Sequence, residues 1–196
     1  MPSDQENQFI LASCSARRKH LLSKAGFVFN VIPSNIDESA FNTEGIPSIE
    51  HTRRLALAKA GAVAQRFPSQ LVLGADTVVD FEGQIVGKPQ DADDAERITR
   101  MLFSRPHKVI TSVALVRIDD SLEIVETATT TVYPKKLTAE QIAEHIKKGD
   151  WRGKAGAYGI QETGDEFVER IEGSFTNVIG LPMELLQDLL DKFIAQ

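Results

Sequence analysis

The run LVLGADTVVD, Leu71 to Asp80, constrains this chain more than any other stretch. Leu71, Val72 and Leu73 before its first acid, and Val78 and Val79 after it, read as a buried strand. Burying an unpaired carboxylate costs on the order of several kcal/mol. Asp76 therefore calls for a metal, a cationic neighbour or a proton drawn from a reacting water. Gly74 admits another backbone or a ligand at close range, and Thr77 sets a hydroxyl beside the acid. The plainer alternative is a strand ending in an Asx turn that carries Asp.

Upstream, Phe9 to Ala12 reads as a short strand running into Ser13, Cys14, Ser15, Ala16, Arg17 and Arg18. A helix follows through Leu21 and Leu22, with Ser15 as N-cap and Gly26 as its stop. Arg17 and Arg18 sit where the helix dipole is already positive, a placement that makes sense if an anion arrives. Strand, Ser-rich turn, helix start and two guanidinium groups together describe a phosphate cradle, against the alternative of solvated arginines behind a capping serine. Neither a P-loop nor a dinucleotide fingerprint is present. After a second strand, Phe27 to Ile32, a polar connection runs to Pro47. Its Asp37 and Glu38 are either oxygen ligands for a hard divalent cation or simply solvated. Pro47 opens a long amphipathic helix with Ile49, Ala56, Ala60, Val63 and Phe67 at helical spacing. Lys59 lies in its small-residue stretch, directed toward a site by close packing or snorkelling to the surface.

Glu82-Gly83 turns the central strand back through Gln84 to Val86 and delivers Gly87-Lys88-Pro89. Lys88 is thus the cation expected to meet Asp76 or its substrate. A helix over Asp91 to Leu102 precedes a hairpin of Val109 to Ile118 and Ile124 to Tyr133, with His107 at its entry as a structural hydrogen-bond partner. Thr138 and Gln141 form a capping box for a helix ending at Gly149. The run GDWRGKAGAYGIQ, residues 149–161, suits backbone brought close to a ligand around Lys154 and Tyr158, and the Gln161 amide can read a base edge. A strand over Phe167 to Ile171 and a last helix after Gly180-Leu181-Pro182 close the core, through Met183, Leu186, Leu189, Leu190 and Phe193. Strands alternating with helices, plus hairpins, give a mixed α/β or α+β fold, a single domain over residues 1–196 with 1–7 as a flexible tail.

Charge narrows the partners. With 28 acids against 22 Lys and Arg, the net charge of -6 argues against a general grip on nucleic acid. A small polyanion would need a local cation cluster, helped by a divalent metal. Cys14 is the one cysteine, so it forms no internal disulfide, and no zinc-site spacing is present. No apolar run nears the roughly 20 residues of a membrane span, and a cytoplasmic protein is expected.

Taken in order, LASCSARR (11–18), the loop ending in Asp37-Glu38, LALAKA (55–60), GADTVV (74–79), GKP (87–89), KAGAYGIQ (154–161) and EGSFTNVIGLP (172–182) resemble the Maf-like proteins, the nucleoside triphosphate pyrophosphatases. The resemblance covers nearly the whole chain. It implies an elongated α/β fold with a central mixed sheet and a deep nucleotide-binding cleft. It also implies hydrolysis of a nucleoside triphosphate to the monophosphate and pyrophosphate, with Mg2+ or Mn2+ as cofactor, and a homodimer. Members look like nucleotide-pool cleaners, and some are linked to arrest of cell division. By position, Asp76 resembles the family's proton acceptor, while Ser13, Arg17, Arg18, Glu38, Lys59, Lys88 and Gln161 fall on its site positions. Lys88 and Glu38 join Asp76 as catalytic candidates, Glu38 and Asp76 are the candidate metal ligands, and Lys154 and Thr77 join the substrate-binding set. Arg17, Thr77 and Gln161 match the branch preferring dTTP and UTP; the branch acting on 7-methylguanosine triphosphate has Gln after the Asp and lacks Gly-Ile-Gln. The chain departs from the family pattern at Ala16 (usually Pro), at Phe103 to Pro106 (commonly Leu-Ser-Gly) and at Glu162 (usually Gly). The rival reading is a weakly active nucleotide-binding regulator of division; retention of Asp76 and Glu38 favours the enzyme.

Overall fold

The strand singled out above is real and central: β3 runs from Val72 to Phe81 and pairs along most of its length with β5, His107–Arg117. The computed structural model describes residues 9–41, 43–158 and 167–194. Among them the remaining strands are β1 (Phe9–Leu11), β2 (Phe29–Val31), β4 (Gln84–Val86), β6 (Leu122–Pro134) and β7 (Val168–Glu172). The helices are α1 (Ala16–Lys24), α2 (Ser48–Ala64), α3 (Ala92–Leu102), α4 (Ala139–Lys148), α5 (Phe175–Ile179) and α6 (Met183–Ile194). The sheet is mixed, in the order β2-β1-β3-β5-β6-β7, with β4 also on β3.

Alternation along β3 sorts the core into two layers, because successive strand side chains point to opposite faces. Leu71, Leu73 and Ala75 pack with Leu21 and Leu22 of α1 and Leu186 and Leu190 of α6. Val72, one step out of phase, packs with Ala56, Ala60 and Val63 of α2 on the other face. Further along, Val79 returns to the first face and joins Ile98 and Leu102 of α3, Trp151 and Tyr158.

One edge of β3 belongs to β5. The other is shared: β1 pairs in parallel at Val72 and Leu73, and β4 pairs antiparallel from Val79 to Phe81. Residues 74–78, with Asp76 at their centre, have no strand partner on that edge among the described residues. This gap gives a ligand access to both faces of one strand.

Helix α2 buries Ser48, His51, Thr52, Leu55, Ala56, Lys59, Ala60, Val63 and Ala64, an unbroken three-four repeat. Four of these are polar, so the apolar pattern alone misplaces the face. Ile49, expected on it, is 47% exposed. The helix lies against β3 where Gly74 has no side chain: a Cβ there would stand 2.3 Å from the Ala56 carbonyl oxygen and 2.7 Å from the Ala60 nitrogen.

Local signals fared well. Ser15 caps α1 by accepting from the Arg18 N–H, Asp91 caps α3, and the Thr138–Gln141 capping box is complete. The β3–β4 hairpin turns at Glu82 and Gly83, both at positive φ. The sequence reading lacked α5. Five residues are too few for a periodic signal, and the helix begins at the Ser174 cap and stops at Gly180.

Candidate active site

Asp76 is 6% exposed and points to the α2 face, where its Oδ1 receives the Lys59 ammonium at 2.7 Å. Lys59 is buried as well and reaches Glu38 Oε1 at 2.8 Å, so one ammonium joins two carboxylates. Close packing at Gly74 is what sets Lys59 level with Asp76. Glu38 stands in a single 3-10 turn whose cap is the neighbouring Asp37, accepting from the Ser39 N–H at 3.0 Å. The acidic pair thus divides into one structural carboxylate and one that faces the site. Burial works to raise the Glu38 pKa, but the Lys59 hydrogen bond and the charges of Lys59, Lys88 and Arg18 outweigh it and hold it below the usual carboxylate range. Asp76 Oδ2 is buried and has no hydrogen-bond partner among the described residues. A buried charged oxygen left without a partner is the observation here that most needs a ligand.

Asp76 is among the residues that line a cavity of about 590 Å3. Ser13, Cys14, Ser15 and Arg17 from the β1–α1 turn line it, as do Glu38, Lys59, Asp76, Thr77 and Lys88. Partial burial of its head group draws the Arg17 pKa below its ordinary value, although the residue as a whole is exposed.

Arg18 lines the cavity as well and is held by several protein acceptors. Its Nε donates to the Gly180 carbonyl at 2.9 Å, Nη1 to the Ala75 carbonyl at 2.9 Å and to Ser13 Oγ at 3.3 Å, and Nη2 to Thr77 Oγ1 at 3.1 Å. The guanidinium substitutes for a missing strand on the open edge of β3, gripping the residues on either side of Asp76 and tying them to the turn after α5. Burial lowers its pKa, opposed by the charge of Asp76. Arg18, expected as an anion donor, lines the cavity beside Arg17 and also braces this edge of β3.

Residues 8–193 of the chain match the Maf-like protein family. The chain belongs to the Maf-like family. It is 42% identical over 186 residues to the dTTP/UTP pyrophosphatase of Citrifermentans bemidjiense, covering 95% of each chain. It is 43% identical over 187 residues to that of Bdellovibrio bacteriovorus, covering 94% of this chain and 97% of the other. Among solved structures, the Staphylococcus aureus Ham1 protein superposes with a TM-score of 0.52 over 94% of this chain and 98% of its own, at 15% identity, which speaks to the fold alone.

The structure of this Maf-like protein shows which lysine meets Asp76. Lys59, not Lys88, contacts Asp76; Lys88 lines the same cavity and acts on Glu38 through its charge. Lys154 does not line the cavity, although Gly153 and Ala155 on either side of it do. Gln161 lies outside the described residues. The signal that could have found the Lys59 contact was in the sequence: Lys59 stands three residues after Ala56 and four before Val63, within the buried stripe of α2.

The donor set bears on a metal. Among the described residues no group of three His, Cys, Asp or Glu side chains converges. Two carboxylates do converge on the Lys59 ammonium, and Asp76 Oδ2 is left without a partner among the described residues. Hard oxygen donors in that small number suit a divalent cation carried in partly by phosphate oxygens. No helix among the described residues is long and apolar enough to cross a membrane.

His107, as expected, is structural. Its Nδ1 lies 3.2 Å from the Leu102 carbonyl, which can only accept, so Nδ1 carries the proton and Nε2 accepts from the Tyr158 hydroxyl. Burial pushes its pKa down to about 4, against the pull of the Leu102 and Arg105 carbonyls. Because the folded value lies below the unfolded one near 6.5, the unfolded chain takes up the proton first. The stability this confers is full above pH 6.5 and is lost as pH falls toward 4, up to about 3 kcal/mol. Urea unfolding of wild type and His107→Gln between pH 7.5 and 4.5 is expected to show their stability difference shrinking with acid; parallel curves would contradict it.

Proposed function

We propose that this Maf-like protein hydrolyses dTTP and UTP to the nucleoside monophosphate and pyrophosphate. The observation that carries the reading is Asp76, buried, with its Oδ2 unpartnered among the described residues, in the lining of a cavity that Arg17, Lys59 and Lys88 also line. A carboxylate in that place accepts a proton; cations around it receive a polyphosphate. The names of the relatives and the presence of Arg17 and Thr77 support dTTP and UTP as the substrates.

In this mechanism Arg17, Lys88 and the β1–α1 turn hold the phosphate chain in line. Asp76 orients a water and takes its proton as the water oxygen attacks the α-phosphorus. The bond from that phosphorus to the bridging oxygen breaks, and pyrophosphate leaves with the electron pair. Lys59 keeps the Asp76 and Glu38 carboxylates together and offsets their repulsion. Glu38 and Asp76 would hold a divalent cation, which when bound neutralises phosphate charge and acidifies water. Positioning and charge neutralisation dominate such a reaction. The cytoplasm, where its substrates form a pool, is the proposed place of action.

Incubation with UTP, dTTP and Mg2+ or Mn2+, followed by separate assays for pyrophosphate and phosphate, tests the reading. Pyrophosphate as the first product is expected. Phosphate alone would make the protein a phosphatase, and preferential turnover of 7-methylguanosine triphosphate would move it to the other branch.

A further inference from the structure

Asn177 of α5 is fully buried, yet its amide is only half satisfied. Its Nδ2 donates to the Val109 carbonyl of β5 at 3.0 Å and to Thr130 Oγ1 of β6 at 2.9 Å. The Val109 carbonyl can only accept, so the NH2 end is the one that faces the sheet. Oδ1 is buried without a partner among the described residues. A buried acceptor left unpaired is costly, so the two bonds from the donor end are what hold an amide in this place.

Those bonds fasten α5 to the sheet. Gly173, at φ +122°, lies so close to β6 that a Cβ on it would stand 2.8 Å from Thr130 Oγ1, and that hydroxyl donates to the Ser174 carbonyl at 3.0 Å. Ser174 caps α5 by accepting from the Asn177 N–H at 3.1 Å. At the other end the Gly180 N–H donates to the Asn177 carbonyl at 3.0 Å, and Thr111 Oγ1 of β5 donates to the same carbonyl at 3.3 Å. Asn177 thus joins β5, β6 and both ends of α5.

Gly180 passes this constraint on. Its carbonyl accepts from Arg18 Nε at 2.9 Å, and the same guanidinium reaches Ser13 Oγ of the β1–α1 turn, the Ala75 carbonyl and Thr77 Oγ1. Ala75 and Thr77 flank Asp76. One side chain therefore fixes the turn proposed to hold phosphate against the carboxylate proposed to take the proton, and Gly180 ties that side chain to the sheet. Neither Asn177 nor Thr130 lines the cavity.

We propose that Asn177 is a positioning residue: by fastening α5 to β5 and β6 it places the Gly180 carbonyl, which aligns Arg18 and so sets the β1–α1 turn against Asp76. The inference rests on the hydrolytic reading of the cavity. Arg17 and Lys88 make none of these contacts, so nucleotide is still gripped when the chain of contacts loosens. What is lost is the alignment of phosphate and base, on which the rate of an in-line attack depends.

Asn177→Leu keeps the volume and removes the amide; Thr130→Val removes its acceptor on β6. Each is expected to lower kcat for pyrophosphate release from UTP by on the order of ten- to a hundredfold, with KM within about threefold. Arg18→Met supplies a readout that a merely structural role would not move. Adding Asn177→Leu to Arg18→Met is expected to lower kcat by no more than about a further twofold, because the group it acts through is gone. Hydrogen exchange gives an arm independent of turnover: amides of residues 12–18 should exchange about tenfold faster in Asn177→Leu, with those of α2 and α3 at wild-type rates. An undiminished loss of kcat in the Arg18→Met background, unchanged kcat in both Asn177→Leu and Thr130→Val, or faster exchange throughout the molecule would overturn the proposal. If Arg18→Met does not fold, Thr130→Val carries the test through the split of kcat from KM and the local exchange. A wild-type protein that releases no pyrophosphate would refute the hydrolytic reading instead. The placement of the turn by Asn177 would then stand on faster exchange confined to residues 12–18, and fall if those amides exchange as in wild type.

Discussion

Asp76→Asn is expected to lower kcat for pyrophosphate release from UTP about a thousandfold, while nucleotide binding changes by no more than about threefold. The asymmetry follows from the two carboxylate oxygens having different partners. Oδ1 holds the Lys59 ammonium at 2.7 Å, and an Asn carbonyl oxygen keeps that role. Oδ2 has no partner among the described residues, and an amide NH2 in its place donates where the proposed reaction needs an acceptor. The groups proposed to grip the phosphates, Arg17, Lys88 and the β1–α1 turn, are untouched. Single-turnover measurements of pyrophosphate release, with calorimetric titration of UTP into the variant, check both halves. Release within tenfold of wild type would remove Asp76 from the role of base. A parallel loss of binding would mean that the carboxylate acts through the architecture of the site.

What could be read in advance, and what could not, follows from the range of each interaction. The β3 strand, the Ser15 cap, the Thr138–Gln141 box and the Glu82-Gly83 turn depend on neighbours a few residues away, and all appear where the sequence placed them. Asp76 was legible because a lone acid in a β-branched run is conspicuous on hydrophobic grounds alone. Its partner was not. Lys88 follows Asp76 by a dozen residues across a hairpin, and closeness in sequence favoured it; Lys59 precedes Asp76 by seventeen residues on a helix whose registration is set by Gly74. The buried face of α2 was obscured for a related reason. Ser48, His51, Thr52 and Lys59 occupy it, and three of them are answered by a polar group elsewhere: Asp80 for Ser48, Ser112 for Thr52, Asp76 and Glu38 for Lys59. Arg18 illustrates the limit most sharply. That an arginine in a phosphate-type turn donates to the Ala75 and Gly180 carbonyls follows only from the missing strand on the β3 edge, a property of the assembled sheet.

Gly74→Ala is expected to destabilise the protein by at least about 3 kcal/mol, through overpacking against backbone that cannot rotate away. For a chain of this size that lowers Tm by roughly 6–12 °C. The new methyl would meet the Ala56 carbonyl oxygen at 2.3 Å and the Ala60 nitrogen at 2.7 Å, so relief requires α2 to move off the sheet. Movement of α2 carries Lys59 away from Asp76 and Glu38, and a shift of about 1 Å at a catalytic group can cost on the order of a hundredfold in rate. Stability and activity should therefore fall together, although Gly74 touches no substrate in the proposed mechanism. The third close contact, Ala60 Cβ at 2.9 Å, provides the control. Adding Ala60→Gly removes that contact and leaves both backbone contacts in place, so little recovery of Tm or kcat is expected. Full recovery in the double variant would show that side-chain crowding, and not the approach of α2 backbone to β3, sets the position of Lys59.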